Sequence, residues 1–176
     1  MARRFRGSEE VKVDAKGRVS IPAKFRRVFE ASDPDWVNGR RPQLVIVYGT
    51  RDWKHLQLFT IEAMDEIDAG ISRMPRGSAE RNLLENIYHG HAEETDIDGD
   101  GRLVLPQKLR EKIGLVDGAF FISAGDSLKV WTPEAYAEEE RRLEELVPDF
   151  EPGADPLSLL NAAGAGAAMP MAGGGD

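Results

Sequence analysis

Three carboxylates at alternate positions, Asp96, Asp98 and Asp100, are followed by Gly101. A calcium-binding EF-hand loop carries its first oxygen ligands and its turn glycine at this spacing. Such a loop closes its coordination shell with a bidentate glutamate at its twelfth position. Counted from Asp96 that position is Gln107, an uncharged amide preceded by Pro106. The apolar run Leu103, Val104, Leu105 suits a strand better than the second helix that an EF-hand needs. No calcium site is expected. His89 and His91 flank one glycine near Glu93 and are the other residues that suggest a metal. The chain has no cysteine, no glycine-rich phosphate loop and no G-x-S-x-G nucleophile elbow, so catalysis is not expected either.

A second copy of the acidic stretch changes its meaning. Upstream lies VDAKGRVSIPAKFRR, in which Asp14, Gly17, Arg18, Pro22, Lys24 and Arg26 align with Asp98, Gly101, Arg102, Pro106, Lys108 and Arg110. The shared pattern is D-x-x-G-R-h-x-h-P-x-K-h-R, with h apolar. The first copy has Ala15 and Lys16 where the second has Gly99 and Asp100, so the calcium-like spacing belongs to one copy only. Further on, LQLFTIEAM (Leu56 to Met64) matches LKVWTPEAY (Leu128 to Tyr136). From Asp14 to Leu56 is 42 positions and from Asp98 to Leu128 is 30, which places a net insertion of 12 in the first half. The polar stretch SDPDWVNGRRPQ is its expected site. Two agreeing blocks in one order establish an internal duplication.

Each half reads alike. Val11 and Val13 alternate with polar residues as in a half-buried strand, and Asp14 to Gly17 is a turn. Arg18 to Ile21 returns as a strand, with Val19 and Ile21 on one face and Arg18 and Ser20 on the other. Pro22 ends the pairing and opens a helix carrying Phe25, Val28 and Phe29 on one side. QLVIVYG and LQLFT follow as strands, and Thr60 caps a helix running to about Arg73. Thr132 and Pro133 repeat that helix start. A helix over about Ser78 to His89 joins the halves. The expected domains are residues 1–77, a connecting helix 78–90, a second repeat 91–147 and a disordered low-complexity tail 148–176.

The chain has 176 residues and a net charge of −8, which argues against a generic nucleic-acid binder. The charge is uneven, however. Residues 1–30 hold nine bases against four acids, and residues 111–176 hold four bases against thirteen acids. Such asymmetry hints at a charged partner, although a merely solvated basic strand fits the same count. No apolar run approaches the roughly 20 residues of a membrane span, and the first ten residues lack a signal-peptide core. A cytoplasmic location is expected.

The paired D-x-x-G-R motifs resemble the MraZ family, whose relatives are the AbrB-type and MazE-type swapped-hairpin DNA-binding domains. FRG (Phe5 to Gly7) before the first motif, GHAEE (Gly90 to Glu94) before the second, LRE and GL after it, and LKVWTPEAY carry the resemblance from about Phe5 to Val147. It implies an α+β fold in which two β-hairpin/helix repeats form a double-split β-barrel-like unit. It implies a homo-oligomeric ring, commonly an octamer, that binds short direct repeats in double-stranded promoter DNA. Its expected role is repression of the division and cell-wall gene cluster, its own promoter included. No cofactor and no membrane partner is implied, and nucleoid association is. A MazE-like antitoxin or a structural ring protein is the alternative.

The site follows from chemistry and resemblance together. An arginine fork reads guanine O6 and N7 or grips phosphate, and Arg18 follows a tight turn. Asp14 either orients Arg18 or only staples the turn. Lys16 at the tip suits a phosphate contact, and Arg3, Arg4 and Arg6 are candidates for further contacts. Asp100 in place of Lys16 makes the second tip repel phosphate. The second motif, with Asp98, Gly101, Arg102 and Pro106, is therefore expected to serve structure or assembly, Arg102 pairing with Asp98 or with a neighbouring subunit. Gly17, Pro22 and the glycine–histidine junction are expected to be structural.

Overall fold

The computed structural model describes residues 4–147 and 153–161. The first half contains β1 (Ser8–Lys12), β2 (Arg18–Ser20), α1 (Ala23–Ala31), β3 (Gln43–Val47), β4 (Leu56–Thr60) and α2 (Ile61–Ser72). Helix α3 (Ala79–Glu85) runs into a π-helical turn, Asn86–Gly90. The second half repeats the plan with β5 (Ala92–Asp96), β6 (Arg102–Val104), α4 (Gln107–Ile113), β7 (Gly118–Ser123), β8 (Ser127–Trp131) and α5 (Pro133–Leu146). The chain divides into two compact units, Met1–Ala137 and Glu138–Asp176. In the second unit Arg142 forks onto Glu139 one turn away, at 2.8 and 2.9 Å. Of the tail, residues 148–152 and 162–176 lie outside the described residues, and so does most of the expected disordered segment.

The helix starts follow their sequence signals. Thr60 Oγ1 accepts from the Ala63 N–H and Thr132 Oγ1 from the Ala135 N–H, both at 3.1 Å. Ser78 does the same for Arg81 at the head of α3. Pro22 and Pro106 stand just before α1 and α4 with extended backbone, so each ends a strand and aims a helix.

The strands pair differently from a local hairpin. After the Asp14 turn, β2 meets β1 only at the single bridge Val13–Val19. β1 instead pairs with β7 of the other repeat, and β5 reciprocally with β3. The result is an open antiparallel sheet in the order β1-β7-β8-β4-β3-β5, with β2 and β6 forming a separate two-stranded ribbon. The expected α+β class and duplicated plan are those observed, with β1 and β5 as free edges rather than a closed barrel. Val19 faces Leu103 in the ribbon, and Gln57 faces Lys129 in the sheet. Both are pairs of equivalent positions in the repeat, so one pseudo-two-fold axis passes through ribbon and sheet.

Burial explains the exchange. β3 reads Gln-Leu-Val-Ile-Val because both of its faces are covered: Leu44 and Ile46 enter one core, Val45 and Val47 another. The larger core lies under the ribbon, α1 and α4, and contains Val19, Ile21, Phe25, Phe29, Leu103, Leu105 and Leu109. Phe5 of the FRG motif wedges into it, with ring centres 4.9 Å from Phe29 and 6.0 Å from Phe25. The smaller core is roofed by α2 and the π-helical turn through Met64, Ile67, Ile87 and Tyr88. Neither half completes a core alone, because each supplies the other's edge strand. Edge strand β1 carries Glu9, Glu10 and Lys12, charges that oppose pairing with another chain.

The paired registers offset β3 from β7 by 75 positions, against 84 in the ribbon and 72 for β4 and β8, so three residues of the insertion fall between β3 and β4 and nine, most of it, in the expected stretch between α1 and β3. Buried Asp33 anchors it, its carboxylate accepting from the N–H groups of Asp35 (3.0 Å) and Gln43 (2.9 Å). The Trp36 indole donates to the Arg40 carbonyl at 2.7 Å.

Candidate nucleic-acid interface

The two D-x-x-G-R motifs build the same turn. Asp14 Oδ1 accepts from the backbone N–H groups of Lys16 and Arg18, each at 2.9 Å. Asp98 Oδ1 accepts likewise from Asp100 (2.9 Å) and Arg102 (3.0 Å). The backbone closes both turns, Asp14 N–H onto the Arg18 carbonyl and Asp98 N–H onto the Arg102 carbonyl. The shared aspartate is thus a turn cap, and the oxygen a cation would use at Asp98 already takes two N–H groups. Both carboxyls are held below the ordinary aspartate range. The main cause is the backbone N–H of Arg18 at Asp14 and of Arg102 at Asp98.

Gly17 and Gly101 have φ of 78° and 76°, which L side chains rarely adopt. Each is also pressed by an arginine of the opposite repeat. A Cβ on Gly17 would lie 2.7 Å from Arg110 Nε and 2.8 Å from the Leu105 carbonyl oxygen. A Cβ on Gly101 would lie 2.6 Å from an Arg26 guanidinium nitrogen. Backbone bonds tie the turns the same way, Ile21 N–H to the Gly101 carbonyl and Leu105 N–H to the Gly17 carbonyl, both at 2.8 Å. Each turn is therefore seated on the other repeat.

The ribbon register decides what faces outward. Arg18 stands opposite Val104, Val19 opposite Leu103, and Ser20 opposite Arg102. Val19 and Leu103, at 1% and 0% exposure, point into the core. Arg18, Ser20, Arg102 and half-exposed Val104 make up the other face. Slipping the register by one residue would drive two guanidiniums into the core, so the pairing is strongly fixed. Arg18 and Arg102 are diagonal neighbours, about 7–8 Å apart at the backbone. They line a hollow of about 360 Å³ with Lys12, Val13, Asp14 and Ser20.

The two arginines are held differently. Arg18 Nε donates to Asp14 Oδ2 at 2.7 Å, which fixes the direction of its fork. Arg102 gives Asp98 only its backbone N–H, and its guanidinium makes no ion pair among the described residues. Of the two partners expected for Arg102, Asp98 takes only its backbone N–H, and within the chain Arg102 stands beside Arg18. Lys16 is exposed at the first tip, matched by Asp100 at the second. Arg4 and Arg6 lie elsewhere. Phe5 N–H binds the Gly125 carbonyl beyond one end of β7, whereas Val13 N–H binds Asp117 at the other. The length of β7, ~20 Å, separates them from the turn. Arg3 lies outside the described residues. His89 of the expected metal-like pair bonds Asp68 at 2.9 Å, and His91 stacks on Tyr48.

Reasoning from sequence placed Ser20 on the face of Arg18 but missed Val104 and Lys12 as members of this surface. It also missed Arg26 and Arg110 as the props of the opposite turns. Their alignment with each other was the available signal.

A duplicated α+β unit that exchanges strands between its halves and presents two arginines on an exposed ribbon has the build of a nucleic-acid-binding module. The family model described as "MraZ protein, putative antitoxin-like" matches residues 4–68 and 89–150. A Transcriptional regulator MraZ of Ruegeria pomeroyi is 54% identical over 169 residues, covering 93% of this chain and 99% of the relative. One from Cereibacter sphaeroides is 42% identical over 171 residues, with the same coverage of both chains. One from Hydrogenovibrio crunogenus is 31% identical over 133 residues, 75% of this chain and 82% of the relative. The chain belongs to the MraZ family. The two matched segments leave out residues 69–88, the end of α2 together with α3.

Proposed function

We propose that the β2–β6 ribbon enters the major groove of double-stranded DNA and that the protein is a transcriptional repressor. The observation that carries this reading is the outward placement of Arg18 and Arg102 on one two-stranded ribbon. The major groove admits such a ribbon, and an arginine fork recognises guanine O6 and N7. A backbone separation of about 7–8 Å corresponds to roughly two base-pair steps of about 3.4 Å, so the two forks address nearby bases. Arg18, pre-aimed by Asp14, is the main reader, Arg102 the second, and Lys16 a phosphate contact.

One ribbon makes few phosphate contacts, and specific regulators make many. A homo-oligomeric ring, octameric in the resemblance, displays several ribbons and meets successive direct repeats about one helical turn apart. The targets are the repeats of the division and cell-wall cluster promoter, the protein's own included, with the protein cytoplasmic and nucleoid-associated. No helix among the described residues is long and apolar enough to cross a membrane.

A gel-shift on the chain's own upstream DNA tests the reading. Specific retention is expected for the wild type and its loss for Arg18→Ala, with the oligomer intact. Specific retention undiminished by Arg18→Ala and Arg102→Ala together would refute it. No retention with the wild type would favour an antitoxin or a structural ring.

A further inference from the structure

The second turn carries Asp96, Asp98 and Asp100, and on charge alone it should repel DNA. The insertion between α1 and β3 lies against it. Ile97 N–H binds the Pro42 carbonyl at 3.1 Å, the place where, in the first repeat, Val13 N–H binds Asp117. Between the insertion, α1 and the turn is a pocket of about 320 Å³. Arg26, Arg40 and Arg41 line it, with Glu30, Asp98 and Gly99.

Three observations set this pocket apart from its counterpart. Arg110, the equivalent of Arg26, satisfies its Nε on the Leu105 carbonyl at 2.9 Å, whereas Arg26 Nε is buried with no hydrogen-bond partner among the described residues. A buried orphan donor on a cation is costly and calls for an acceptor. Next, Arg40 and Arg41 are exposed, and the one ion pair they make among the described residues, Arg41 to Asp96 at 3.7 Å, is long and open to water. Finally, these two arginines come from the segment by which the first repeat exceeds the second.

We propose that this pocket is a seat for a phosphate group, supplied by the DNA backbone beside the ribbon. The insertion then turns an acidic tip into a DNA-compatible one, and the two ends of the ribbon grip phosphate by different means, Lys16 at one and the arginine seat at the other. The DNA source rests on the ribbon reading above, whereas the seat itself does not.

The test uses the full chain, Arg40→Ala/Arg41→Ala and, separately, Arg26→Gln, with thermal melting as a check on folding. Affinity for the native upstream duplex and for a scrambled duplex is measured across a salt series. For the double variant, the slope of log K against log salt should shrink by about 0.9 for each engaged protomer. Affinity should fall by the same factor on both duplexes, as for a phosphate rather than a base contact. In parallel, inorganic phosphate is titrated without DNA and followed by phosphorus NMR. Line broadening present in the wild type and lost in both variants supports the seat. That broadening with an unchanged salt slope keeps the seat but overturns its DNA source. A reduced slope without broadening supports the DNA source. An unchanged slope and no variant-sensitive broadening overturn the proposal. A wild type that binds no duplex counts against the ribbon, and the phosphate titration then still decides the seat.

Discussion

Replacing Gly17 by alanine tests whether each turn is seated on the opposite repeat. The change has two separable costs. Holding an alanine at φ 78° costs about 1–2 kcal/mol. The added methyl also meets the Leu105 carbonyl oxygen at 2.8 Å and Arg110 Nε at 2.7 Å, two atoms bonded to each other. Parting that charge-assisted bond adds about 1.5–3 kcal/mol, giving a total of about 3–5 kcal/mol. Gly77 is the control, with φ 80° and nothing within 4 Å of its Cβ, so Gly77→Ala shows the backbone cost alone. Gly101→Ala falls between, because the atom its Cβ would meet at 2.6 Å is the movable end of Arg26. Urea unfolding at equal protomer concentration reads the differences directly. A cost of about 3–5 kcal/mol corresponds to a thermal shift of about 10–20 °C at about 3–4 °C per kcal/mol for a unit of this size. If Gly17→Ala and Gly77→Ala lose the same stability, the two turns are not packed across the repeats as described.

Further outcomes follow from the same geometry. Arg18→Ala should lose about 1–3 kcal/mol of base discrimination per site and Arg102→Ala less, measured as the ratio of native to scrambled DNA affinity; equal discrimination in the wild type and both variants would contradict the ribbon assignment. Asp14 and Asp98 are more acidic folded than unfolded, so their contribution is complete above the ordinary value of 3.8 and is lost as pH falls through the lower folded value. Acid titrations of Asp14→Asn and Asp98→Asn should therefore show a shallower stability loss below that pH than the wild type, and parallel curves would refute the turn-cap role. Calcium calorimetry should give no specific heat in the micromolar range, because Asp98 Oδ1 is committed to its turn; saturable micromolar binding would overturn that reading.

Much of this was legible in the sequence, and the limits have physical causes. The duplication, both glycine turns, the terminating prolines and the capping threonines are local signals, and local chemistry decides them. The insertion showed as a difference in spacing. The partner of each strand did not show. Period-2 alternation at Val11 and Val13 says which face is buried, not which strand lies alongside, and a turn at Asp14 suggests its nearest neighbour. Exchange of β1 and β5 between repeats follows from the shared core, which no single segment encodes. For the same reason Arg102 read as a residue of another place. Only the Val19–Leu103 register puts it next to Arg18. Arg4 and Arg6 looked close to the motif in sequence but are held at the far end of β7 by Phe5.

The central claim is that an arginine of this ribbon reads guanine in the major groove. Duplexes carrying 7-deazaguanine in the upstream repeats keep their base pairing and backbone but lose the N7 acceptor. Their affinity, measured with the wild type and with Arg18→Ala as a double-mutant cycle, addresses the claim directly. The wild type should bind the modified duplex more weakly, by about 1–3 kcal/mol at the contacted guanine, and Arg18→Ala should not distinguish the two duplexes. Equal binding of both duplexes by the wild type would contradict major-groove reading by this ribbon.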